Sequence, residues 1–134
     1  MKPNRSIPAA AVIPVLVVDD VAAEVAWLVS VFGFRERLRI PPNHRTQMTY
    51  GDSALIVAER GAAGPQNVLL RVEDVDAVFA RAVAAGATAV SEPHSWEYGE
   101  RQAAIDDPAG HRWTLSQTES DADPASWGGI LVEP

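Results

Sequence analysis

Val18-Asp19-Asp20-Val21-Ala22-Ala23 and Val72-Glu73-Asp74-Val75-Asp76-Ala77 are two copies of one pattern. Each ends a β-branched, apolar run, Val12 to Val18 and Asn67 to Val72, and each opens a segment with helical spacing of apolar residues. Asp20 and Asp74 stand where a helix needs a side-chain acceptor for its free N–H groups. The first helix is read over Val21 to Phe32, with Val21, Val25, Leu28, Val29 and Phe32 on one face. The second is read over Val75 to Ala85. Gly33 and Gly86 follow, in the place of a helix-terminating glycine.

Outward from those anchors the halves stay parallel. Phe34 to Ile40 alternates Phe34, Glu36, Leu38 and Ile40 with Arg35, Arg37 and Arg39, as a strand with one wet face does. Arg45 to Tyr50 and Ala54 to Glu59 read as strands around the turn Gly51-Asp52. In the second half Ala87 to Ser91 reads as a strand and Pro93 to Gly99 as a long loop. Arg101 to Asp106 and His111 to Ser116 are strands around Asp107-Pro108-Ala109-Gly110. The expected fold is α+β: tandem βαβββ modules over residues 8–60 and 61–117, curved into a cup with the helices outside. Neither module alone buries enough surface to be stable. Residues 118–134 are expected to form an acidic, solvated tail.

Composition narrows the function. The chain has 134 residues and a net charge of −7, 11 Lys and Arg against 18 Asp and Glu. That sign argues against nucleic acid as a partner. Four of the acids, Glu119, Asp121, Asp123 and Glu133, lie in the C-terminal segment, so the rest is close to balanced. There are no cysteines, which excludes disulfides, thiolate metal sites and thiol nucleophiles. No apolar run reaches the roughly 20 residues of a membrane helix, and no signal peptide is evident. The expected compartment is the cytoplasm.

The chain resembles the vicinal oxygen chelate superfamily of glyoxalases, extradiol dioxygenases and bleomycin-resistance proteins. The residues that carry this are Pro14-Val15-Leu16-Val17-Val18-Asp19-Asp20-Val21, Phe32-Gly33-Phe34, and Tyr98-Gly99-Glu100-Arg101 leading to Asp107-Pro108-Ala109-Gly110-His111. The look is nearest to metal-free members of the bleomycin-resistance type. The resemblance implies four metal-ligand positions, two per half, which fall at Ile13, Ile56, Asn67 and Thr114. Two of these cannot ligate, and an amide and a neutral hydroxyl replace imidazole and carboxylate. No metal and no other cofactor is therefore expected, and the superfamily's Lewis-acid chemistry lacks a centre.

The implied activity is sequestration of a small, partly aromatic molecule such as an antibiotic, in the cups of a homodimer. Trp96 and Tyr98 stand in the polar loop and are expected to stack on the ligand, with His94 beside them and Arg101 entering the cup. Gln47, Asn67, Leu69, Arg71, Arg112 and Thr114 complete the expected site, and strand parity adds Val15, Val17, Ala54, Ala58 and Ser116. Glu97 and Glu100 would serve a cationic ligand. Trp27, Phe32 and Phe79 are expected in the core, Phe34 and Trp113 under the helices, His44 in solvent and His111 within its turn. Two other readings stay open: a metal-dependent lyase, isomerase or dioxygenase with relocated ligands, for which His44, Glu59 and His94 are the reserve donors, and an interaction module whose cup is filled.

Overall fold

A computed structural model describes residues 1–61, 66–108 and 110–133. The elements in chain order are β1 Val12–Val18, α1 Val21–Trp27, β2 Arg35–Ile40, β3 Arg45–Tyr50, β4 Ser53–Glu59, β5 Asn67–Arg71, α2 Val75–Ala84, β6 Thr88–Ser95, β7 Glu100–Asp106, β8 Arg112–Thr118 and β9 Ile130–Leu131. They build one curved, unclosed nine-stranded sheet in the order β6-β7-β8-β5-β1-β4-β3-β2-β9.

The duplication is visible atom for atom. Asp20 Oδ1 accepts from Ala23 N and Asp74 Oδ1 from Ala77 N, both at 3.1 Å. Caps of this kind are worth about 1 kcal/mol each. Within each half the first strand runs parallel to the last, β1 with β4 and β5 with β8. The halves join where β1 pairs antiparallel with β5, Ile13 opposite Leu69 and Val15 opposite Asn67.

Two apolar clusters cover the convex face. Val21 and Leu28 meet Met48 and Val57, with Phe34 packed against them. Val75 meets Ala103, Ile105 and Leu115, with Phe79 and Trp113 alongside. The third cluster is on the concave face: Ile13, Val15, Ala54, Ile56, Ala58 and Leu69 surround Ile7, a residue ahead of the first strand.

The sequence reading needs correction in several places. The first helix is α-helical only to Trp27, and a single π turn, Leu28–Phe32, completes it before Gly33 at φ +79°. Trp27 and Phe32 are exposed, packed edge-on against each other with centroids 4.9 Å apart, and not in the core. The helix buries Val21 and Leu28 and leaves its longer aromatic side chains outside. β6 extends to Ser95, so the expected long loop shrinks to a tight turn closed by Trp96 N donating to Glu100 O at 2.8 Å. The C-terminal segment is not a free solvated tail. It forms a 3-10 turn over Pro124–Trp127 and then β9, which pairs with β2.

Candidate functional site

Strand alternation places 13, 15, 54, 56, 58, 67, 69 and 71 on the concave face, as register requires. The cup they line is not empty. Residues 1–10 cross it as a strap, and residues 119–133 fold over the strap.

The fastening is polar and specific. Asn4, which is buried, donates from Nδ2 to Tyr98 O at 3.0 Å and to Glu100 Oε2 at 2.8 Å, and its Oδ1 accepts from Ser6 N and Ala122 N. Ser6 Oγ donates to Ala122 O at 2.7 Å and accepts from Trp127 Nε1 at 2.8 Å. Arg5 pairs with Asp121, and this bonding holds the Asp121 carboxyl below the usual range. Gly99 makes the crossing possible. A Cβ there would lie 2.3 Å from Ser120 O, and the backbone sits at φ +84°.

Under the strap lies a buried polar network. Glu100 is 1% exposed, and its carboxylate accepts from Asn4, from Ser116 Oγ at 2.7 Å and from Thr118 Oγ1 at 2.5 Å. Its oxygens are therefore engaged, and the expectation that it meets a cationic ligand is corrected. Gln102, which the sequence reading did not single out, accepts from Tyr98 Oη and donates to Ser116 Oγ, both at 2.9 Å. It lies one strand residue beyond Arg101, and the alternation between Arg101 and Gln102 is the signal that would have found it. Arg101 itself points the other way, to Asp76 on α2 at 2.8 Å, outside the cup. Asp76 is held low by the Arg101 guanidinium.

The remaining expected residues fall into three places. Gln47 and Arg71 are buried beneath the strap. Gln47 donates to Ser6 O at 2.7 Å and accepts from Arg37 at 2.6 Å. Leu69 packs on Ile7. At the other end of the cup, Thr114 Oγ1 donates to Asn67 Oδ1 at 3.1 Å, and Arg112 pairs with Asp106 at 2.5 Å. Asn67 and Arg112 line a cavity of about 450 Å³ there.

His94, Trp96 and Tyr98 do come together. His94 meets Trp96 edge-on at 4.5 Å, Trp96 lies parallel to Tyr98 at 6.1 Å, and Trp127 continues the row at 5.5 Å from Tyr98. Trp127 was missed because its segment read as tail. Burial pushes the Tyr98 phenol up to about 12, with nearby Arg45 opposing and Glu100 and Glu97 assisting. Burial also lowers the Arg45 guanidinium, with Tyr98 opposing.

A cavity of about 890 Å³ opens between the strap and the β3–β4 turn, with Arg37, Arg71, Thr49, Ser53 and Ala54 in its wall. That volume suits a small-molecule ligand, typically about 300–1,000 Å³. Trp96 and Tyr98 are not in its wall. Tyr98 stands behind Asn4, which is.

The metal positions do not fit a metal. Ile13 and Ile56 pack against Ile7, and the Thr114 hydroxyl is committed to the Asn67 amide oxygen. Among the described residues no group of three or more His, Cys, Asp or Glu is placed to hold an ion. His44 is not free in solvent as expected, since its Nδ1 lies 2.7 Å from Glu59 Oε1.

The model of the Glyoxalase/Bleomycin resistance protein/Dioxygenase superfamily matches residues 10–115. An uncharacterized protein of Mycobacterium bovis is 32% identical over 123 residues, 78% of this chain and 80% of its own. One of Mycobacterium tuberculosis is 32% identical over 123 residues, 78% of this chain and 72% of its own. The crystal structure of a glyoxalase/bleomycin resistance protein/dioxygenase superfamily member from Vibrio splendidus 12B01 has a TM-score of 0.57 at 18% identity, covering 79% of this chain and 97% of that one. The Mn(II)-bound glyoxalase from Novosphingobium aromaticivorans has a TM-score of 0.60 at 18% identity, covering 82% of this chain and 39% of that one. At these identities the two structures share the fold with this chain and nothing more.

Proposed function

We propose a function for a chain that belongs to the glyoxalase/bleomycin resistance protein/dioxygenase superfamily: it binds and sequesters a small, partly aromatic molecule in its cup, without a metal ion. One observation carries the reading. The fold keeps a ligand-sized cavity of about 890 Å³ while the superfamily's metal positions hold Ile13, Ile56 and a mutually bonded Asn67–Thr114 pair. No Lewis-acid step can be routed through two isoleucines. An antibiotic as the ligand follows from likeness of fold and is an analogy.

In this reading the ligand's contacts are shared between the cavity wall and the aromatic row. Arg37 and Arg71 stand in the cavity wall, Ile7 and Ala54 supply apolar area, Gln47 and Leu69 support them from beneath the strap, and Trp96, Tyr98 and His94 flank the strap. Asn67, Thr114 and Arg112 form a second, smaller recess, and Arg101 acts only by tethering α2. The working unit is a homodimer in the cytoplasm. Exposed Trp27, Val29, Val31 and Phe32 supply an apolar face, and the edge strand β6 leaves a row of backbone groups to cover.

The test is thermal unfolding across a compound library, in buffer with and without EDTA. A ligand that binds only the folded chain raises the midpoint by mass action. The expected result is a small set of related stabilising compounds whose effect is the same in chelator. A library with no stabiliser would leave the filled-cup interaction module as the better account.

A further inference from the structure

The chain as a whole is acidic, yet two guanidinium groups of its cup, Arg37 and Arg71, have no carboxylate partner among the described residues. Arg71 is 7% exposed. Its acceptors are Pro8 O at 3.2 Å, Ala9 O at 3.3 Å, Lys2 O at 3.2 Å and Thr118 Oγ1 at 2.8 Å, all neutral. Its Nε is buried and has no hydrogen-bond partner among the described residues. Arg37 is served by Gln47 Oε1 at 2.6 Å and Arg5 O at 3.0 Å, again neutral. Glu100 reaches Arg71 only through the Thr118 hydroxyl. Burial lowers the Arg37 guanidinium, and repulsion from Arg71 adds to it.

Both groups stand in the wall of the large cavity. The other paired charges of that wall are already satisfied: Arg5 by Asp121 and Arg35 by Glu133. Asp52 lies at the exposed rim, on the β3–β4 turn. Two neighbouring like charges, Arg71 buried and Arg37 half-buried, are costly without a counter-ion, and an anion seated between them would relieve both desolvation and repulsion. The planar fork of a guanidinium suits the two oxygens of a carboxylate or a phosphate.

We propose that Arg37 and Arg71 form an anion-binding pair in the cup, and that the ligand is a small molecule carrying a carboxylate or phosphate group beside an apolar body. The strap carbonyls of Lys2, Arg5, Pro8 and Ala9 hold the pair in place until that group arrives. This deepens the small-molecule reading above and rests on it. It is opposite in sign to the cationic ligand that Glu97 and Glu100 would serve.

The probes are four naphthalenes of similar shape, 1-naphthoate, 1-naphthyl phosphate, 1-naphthalenemethanol and 1-naphthylmethylamine, titrated by two-dimensional NMR into the full-length chain. At least one anion is expected to bind tighter than the alcohol by about ten- to a hundredfold, the range for one or two charge-assisted hydrogen bonds. Which anion wins separates a carboxylate ligand from a phosphate one. Arg37→Gln should erase that preference while leaving alcohol binding unchanged, and Arg81→Gln, exposed on α2, should leave both unchanged. Arg71→Lys, which keeps the charge and loses the fork, provides a second variant, and thermal melts verify that each variant is folded. If the alcohol or the amine binds as tightly as the anions, or if Arg37→Gln and Arg71→Lys both keep the preference, the anion site is refuted and the small-molecule pocket stands. If none of the four binds, the pocket reading falls with it.

Discussion

Replacing Ile7 by Ala removes three carbons from the centre of the concave cluster. Ile7 is 5% exposed and sits among Ile13, Val15, Ile56 and Leu69. At about 0.8 kcal/mol per buried methylene-sized group, the lost transfer energy is about 2.4 kcal/mol. Measured Ile→Ala costs run about 2–5 kcal/mol because a cavity remains. Ile7 borders an open cavity, which spares part of that second contribution. The expected loss is therefore about 2–3 kcal/mol, or about 6–15 °C in Tm for a chain of this size. Urea titration followed by tryptophan fluorescence measures it, with Val12→Ala, at an exposed position, as a control expected to change stability by no more than about 0.5 kcal/mol. A cost for Ile7→Ala as small as the control's would mean that the strap does not pack into the cup, and the description of the site would fail.

Three further outcomes follow from the same contacts. Gly99→Ala places a Cβ against Ser120 O at a positive φ, so it should cost at least about 1 kcal/mol and loosen residues 119–133, read as faster amide exchange there; unchanged exchange would contradict the crossing. Tyr98 should ionise only near pH 12. Its folded pKa lies above the unfolded value, so the folded chain holds the proton longer; the stabilising contribution is complete below about pH 10 and is lost as pH rises toward 12. Ultraviolet titration checks this, and Tyr98→Phe should remove the late phase. Trp96→Ala and Tyr98→Ala should each weaken binding of a stabilising aromatic compound by about five- to a hundredfold, from about 1–3 kcal/mol per stacked ring; light scattering on the same variants tells whether a ring anchors the dimer instead, and variants that stay dimeric and bind like the parent would remove the aromatic row from the site.

The fold was legible because its repeats carry local chemistry. An Asp cap at each helix start and a glycine at each helix end are dictated by nearest neighbours in sequence, and both halves state them. The cup-lining parity of Val15, Ala54 and Leu69 held for the same reason, since alternation along a strand is local. What covers the lining was not legible. Asn4, Ser6 and Ile7 precede the first periodic run, and Asp121, Ala122 and Trp127 follow the last, so nothing in their spacing reveals contacts across more than a hundred positions. The acidity of that segment read as solvation, whereas Asp121 and Glu133 pair with Arg5 and Arg35. Arg101 was misplaced for a different reason. It lies next to Glu100 and close to Tyr98 in sequence, but a strand sends neighbours to opposite faces, and Asp76 on α2 claims it. Trp27 and Phe32 fit the helical period, yet helix α1 is short and its buried stripe is filled by Val21 and Leu28.

The most direct measurement is calorimetric titration of the strongest stabilising compound into chain stripped with chelator, repeated with added Mn²⁺ or Zn²⁺. The account predicts saturable binding with the same affinity and stoichiometry with and without the ion, because Ile13, Ile56, Asn67 and Thr114 provide no site for it. Binding that disappears in chelator and returns only with the ion would contradict it.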